Sequence, residues 1–76
     1  MLRLEVDSIR DGKKMILEAE EDVRVEDLIR KTGMILKDDG RGVLISCDKE
    51  GVLPFSLTLA DLGISSGERL LYLERS

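Results

Sequence analysis

The apolar residues of this chain change period partway along, and that change limits the folds open to it. In MLRLEVDS, residues 1–8, Leu2, Leu4 and Val6 alternate with Arg3, Glu5 and Asp7. A period of two puts one set on each face of a half-buried strand. Arg10-Asp11-Gly12-Lys13 supplies a glycine-containing turn. Alternation then resumes over residues 14–20, with Met15, Leu17 and Ala19 facing inward. The opening is a β-hairpin. From Val25 the period is that of a helix. Val25, Leu28, Ile29 and Thr32 share one side, and Glu26, Asp27, Arg30 and Lys31 the other. Glu20-Glu21-Asp22 leads in, and acids precede bases along the helix, the order its macrodipole favours. Gly33 is placed to cap this helix, with Met34-Ile35-Leu36 extended beyond it. The alternative is a longer helix that carries the glycine inside at its usual cost.

The second half repeats the alternation of turn and strand. Asp38-Asp39-Gly40-Arg41-Gly42 has hairpin chemistry, and Val43-Leu44-Ile45-Ser46-Cys47 is a strand by its β-branched content. Asp48-Lys49-Glu50-Gly51 turns into a short strand at Val52-Leu53, which Pro54 confines to a sheet edge. In TLADLGISSGERL, residues 58–70, Thr58 can cap a single helical turn over residues 59–62, with Asp61 as the reciprocal member of a capping box. Gly63 stops that turn, Ile64 folds back on the core, and Ser65-Ser66-Gly67 leads into a last strand over residues 70–73. Two hairpins with a helix between them, closed by a fifth strand, predict an α+β roll of the β-grasp type. A mixed sheet of four to five strands would be covered on one face by the helix and open on the other.

Composition excludes more than it identifies. The chain has 76 residues and reads as a single domain over its whole length. A net charge of −4 argues against a nucleic-acid partner, and no apolar run reaches the ~20 residues of a membrane span. There is no signal-peptide pattern, and the single cysteine needs no disulfide, so the expectation is cytoplasmic. No histidine is present, which removes His-based zinc sites and Ser–His or Cys–His nucleophile pairs. No Gly-rich phosphate loop is present either. The expectation is a protein that is not an enzyme and holds no metal or cofactor.

The strand-turn-strand opening, EEDVRVEDLIRKTG and TLADLGISSGERLLYLE together resemble ubiquitin and its relatives along the whole chain. The closing motif T-L-x-D-x-G-I-x-x-G-x-x-L carries most of that resemblance. Within the superfamily, GVLISCDKEGVLPFSLTLADLGISSGERLLYL is similar in layout to the bacterial YukD-like proteins associated with type VII secretion. DGRGVLIS, residues 39–46, also resembles the ubiquitin-fold domain of modifier-activating enzymes, which recruits a conjugating enzyme. Modifiers and sulfur carriers end in Gly-Gly. This sequence ends Leu73-Glu74-Arg75-Ser76, so conjugation is not expected unless a tail has been lost.

Three features could carry chemistry. Cys47 shares a strand parity with Val43 and Ile45, and with Asp48 beside it is expected to be a small core residue rather than a reactive thiol. The acids Glu18, Glu20, Glu21 and Asp22, and Asp38-Asp39, lack the spacing of a calcium loop and read as solvated charge. Ser65-Ser66-Gly67 has no base to activate a hydroxyl and reads as a turn. The last strand is the informative one. The resemblance implies that Leu70 and Tyr72 point inward, which places Leu71 and Leu73 on the open face. With Val43, Ile45 and Cys47 taken as inner residues, Leu44 would join them. Leu44, Leu71 and Leu73, with Arg3, Glu5 and Arg69 as a polar rim, are the expected docking site for another protein. The chain itself is expected to be a monomer or weak homodimer.

Overall fold

A computed structural model describes residues 1–37, 41–48 and 51–74. The elements are β1 (Leu2–Ser8), β2 (Lys14–Ala19), α1 (Val25–Leu36), β3 (Val43–Ser46), β4 (Gly51–Val52) and β5 (Arg69–Leu73). They form a five-stranded mixed sheet in the order β2-β1-β5-β3-β4. β1 pairs antiparallel with β2 and parallel with β5, and β3 pairs antiparallel with both β5 and β4. The helix covers one face, as the α+β β-grasp reading requires. Residues 38–40 and 49–50, where turns are expected from the sequence, and residues 75–76 lie outside the described residues.

The inward set follows strand parity. Leu4 and Val6 of β1, Leu17 of β2 and Leu70 and Tyr72 of β5 are buried against Val25, Leu28 and Ile29 of α1. β3 departs from its predicted phase. Leu44 is fully buried and faces the helix, while Val43 and Ile45 are only half-buried and Cys47 is exposed. The reason is the partner strand. Leu44 lies opposite Tyr72 and Ser46 opposite Leu70, and opposed residues share a face. The inward phase of this segment is Gly42, Leu44 and Ser46, all buried. A β-carbon on Gly42 would stand 2.4 Å from Cζ of Tyr72, so the glycine and the serine leave space that a large ring and a leucine fill.

The helix also runs further than its capping prediction. It passes through Gly33 to Leu36 and ends at Lys37, which takes the left-handed conformation at φ 60°. Leu36 packs on the core, and that burial offsets the roughly 1 kcal/mol cost of an interior glycine. Arg30 and Lys31 therefore sit mid-helix instead of in its last turn. Arg30 pairs with Asp27 at 3.2 Å, and the Lys31 ammonium donates to the Glu18 carbonyl at 2.9 Å.

No side chain caps the start of α1. Its first amides donate instead to the chain after β4: Val25 to the Leu57 carbonyl at 2.9 Å and Glu26 to that of Phe55 at 3.1 Å. The single turn that follows is built as expected. The Thr58 amide donates to the Asp61 carboxylate at 3.1 Å, and the Asp61 amide donates to the Thr58 hydroxyl at 3.0 Å. Gly63 at φ 67° then ends it in a Schellman motif, with Ile64 N–H on the Leu59 carbonyl and Gly63 N–H on that of Ala60. Ile64 and Leu59 are both buried, which is the apolar contact such a stop provides.

Candidate functional site: the open face of the sheet

The face turned away from α1 can be laid out in rows from the registers. One row runs Lys14, Asp7, Leu71, Ile45, Val52 across all five strands. The next towards the end of β5 holds Leu73 and Val43. Ile9, one residue past β1 and tied to β5 by its amide on the Tyr72 carbonyl, lies at the same end. The row on the other side runs Ile16, Glu5, Arg69. Beyond Arg69 comes Cys47, whose amide donates to the Arg69 carbonyl at 3.4 Å.

Two halves result. The β5-β3-β4 half is apolar: Leu73 is 40% exposed and Val52 58%, and Leu71, Ile45 and Val43 are half-buried around them. The β2-β1 half is mixed: Glu5, Asp7 and Lys14 share it with Ile16, which is 59% exposed, and Arg69 of β5 borders it. The Arg69 guanidinium binds Glu5 at 3.1 Å and stands 3.6 Å from Asp7. The hydrogen bond and charge of Glu5, with the charge of Asp7, hold Arg69 above its ordinary pKa. Arg10 closes the other end of the patch on Glu74 at 2.9 Å.

The sequence-predicted residues divide accordingly. Leu71 and Leu73 stand on the open face. Leu44 does not: it is in the core, and Ile45 occupies the place assigned to it. Glu5 and Arg69 adjoin the apolar half, whereas Arg3 lies one row further out, opposite Glu18, with its amide on the Ser66 hydroxyl at 2.9 Å. Val43, Val52, Ile9 and Asp7 are members that sequence reasoning missed. Gly42 and Ser46 give the inward parity of β3 only against the Tyr72 ring of β5, which leaves Ile45 the other parity. Cys47 is exposed, not a core residue, because it follows the outward phase of Val43 and Ile45. Among the described residues no cluster is placed to hold a metal ion, and no helix is long and apolar enough to cross a membrane.

Comparison with solved structures places the fold. Ubiquitin from Caldiarchaeum subterraneum superposes with a TM-score of 0.87 at 19% identity, over 99% of this chain and 94% of that one. The ubiquitin-like domain of Plasmodium falciparum Dsk2 gives 0.86 at 17% identity, over 97% of each chain. A designed protein based on ubiquitin gives 0.83 at 20%, over 99% of this chain and 89% of that one. No family model matches the sequence, and no curated protein does. The chain has the ubiquitin-like β-grasp fold.

Proposed function

We propose that this chain is a non-enzymatic interaction module that docks another protein, without covalent chemistry, on the open face of its sheet. Ile45, Leu71 and Leu73 form the apolar centre, with Val43, Val52 and Ile9 around them and the Glu5–Arg69 pair at the border. The observation that carries this reading is the contiguity of apolar side chains on three neighbouring strands, bordered by the hydrogen-bonded Glu5–Arg69 pair. A small domain that leaves such a patch in water gains by covering it. An exposed thiol at Cys47 fits a reducing cytoplasm. The sequence layout favours an accessory protein of type VII secretion over the recruiting domain of a modifier-activating enzyme.

The test is site-specific photo-crosslinking in the source organism. A photoreactive residue at Val52 should capture one discrete partner, and the same residue at Glu26, on the exposed side of α1, should not. Leu71→Asp should abolish the adduct while leaving the protein folded. Equal capture from both positions, or an adduct indifferent to Leu71→Asp, would overturn the assignment. An adduct made only of a second copy would show self-association in place of a separate partner.

A further inference from the structure

Resting on that reading, one feature of the face specifies the chemistry of whatever covers it. Asp7 is the immediate neighbour of Leu71 across the β1–β5 pairing, and its side chain is only 18% exposed. The Nε–H of Arg69 is directed to Glu5, with Asp7 Oδ2 at 3.6 Å, beyond hydrogen-bond reach. The other oxygen, Asp7 Oδ1, is buried with no hydrogen-bond partner. Lys14 faces Asp7 from the side away from the patch. One guanidinium thus serves two carboxylates, Lys14 brings the local charge back to balance, and Asp7 is the member whose Oδ1 no donor reaches.

A partner seated on Leu71 and Ile45 must also cover the exposed edge of Asp7. Removing a carboxylate from water is unfavourable unless a donor replaces that water, and a second carboxylate there would add repulsion. We propose that the partner is a protein segment with an apolar anchor flanked by a basic side chain, and that this cation is received by Asp7. A guanidinium fits best, because its several N–H groups reach a carboxylate already shared with Arg69. Asp7 is then a specificity determinant: Leu71 and Ile45 supply contact, and Asp7 selects the charge beside it.

The probe is a displayed library of random peptides, selected on the immobilised full chain and counter-selected on Leu71→Asp. Peptides that depend on Leu71 should carry Arg or Lys next to an apolar residue in excess of the input library. A synthetic peptide from that pool should lose about tenfold in affinity on Asp7→Asn, the size of one charge-assisted hydrogen bond. Neutralising its basic residue should cost the same tenfold, and the two changes together no more than either alone. Melting curves establish that Asp7→Asn is folded, and Asp7→Ser substitutes for it otherwise. Leu71-dependent peptides with no basic excess, or with one that survives Asp7→Asn, would overturn the proposal and leave the docking reading standing. A library without Leu71-dependent peptides would overturn both.

Discussion

The phase of β3 decides which residues stand on the open face of the sheet, and adjacent positions test it directly. Leu44 is fully buried opposite Tyr72, while Ile45, the next residue, is half-buried between Leu71 and Val52. Truncating a fully buried leucine to alanine removes its transfer free energy and leaves a cavity, for a loss of about 2–5 kcal/mol. Truncating Ile45 opens no closed cavity and loses only part of the transfer energy, about 1 kcal/mol. A domain of this size holds only about 4–11 kcal/mol in total, so the difference is large on its own scale. At roughly 4–8 °C per kcal/mol, Leu44→Ala should lower Tm by about 8–40 °C, and Ile45→Ala by less than about 8 °C. Urea titration of both variants should show the same ranking in midpoint with an unchanged slope. If Ile45→Ala proves the more destabilising of the two, β3 is inverted and the apolar face described above does not exist.

Two further outcomes follow from particular contacts. Gly42→Ala would bring a β-carbon to 2.4 Å from the Tyr72 ring and should cost about 1–3 kcal/mol by overpacking, read as a lower urea midpoint. Asp61 is held below its ordinary value of 3.8, first by the Thr58 backbone N–H and then by the Thr58 side chain. Its folded pKa therefore lies below its unfolded one, so its contribution is present above 3.8 and fades as pH falls through the lower folded value. The stability gap between wild type and Asp61→Asn should be open at neutral pH and close in strong acid.

The sequence was legible where pattern and local chemistry agreed. The period-two run of β1 and β2, the buried stripe of Val25, Leu28, Ile29 and Thr32, and the reciprocal Thr58–Asp61 box are all formed within a few residues of chain. Each could be read without knowing what lay opposite. β3 could not. Its two parities are Val43-Ile45-Cys47 and Gly42-Leu44-Ser46, and hydrophobicity alone chooses the wrong one for the core. What decides is Tyr72, whose ring occupies the space that Gly42 and Ser46 leave. That complementarity belongs to a pair of strands, and neither sequence segment states it. The end of α1 lies at the longer of its two expected bounds for a similar reason, since the partial burial of Leu36 outweighs the local preference of Gly33 to stop a helix. At the candidate site, Arg69 stood out as a polar border residue, but its division between Glu5 and Asp7 depends on the β1–β5 register.

That register explains why a chain with no reactive residue in its closing turn still needs that turn to be so specific. β5 enters the sheet between β1 and β3, far from both in sequence, and nothing within the strand itself fixes its phase. The segment before it does. Gly63 and the buried pair Leu59 and Ile64 lock the helical turn onto the core. Gly67, at φ 91°, then delivers its amide to the Arg3 carbonyl at 2.8 Å. The Ser66 hydroxyl accepts the Arg3 amide at 2.9 Å, and the Glu68 carbonyl accepts that of Glu5 at 3.1 Å. These bonds fix Glu5 opposite Arg69 and Asp7 opposite Leu71. A slip of one residue would turn Leu71 and Leu73 into the core and put Leu70 and Tyr72 in water. It would also remove Arg69 from between its two carboxylates. The helical turn and its glycines therefore select which leucines face outward and set the charge beside them.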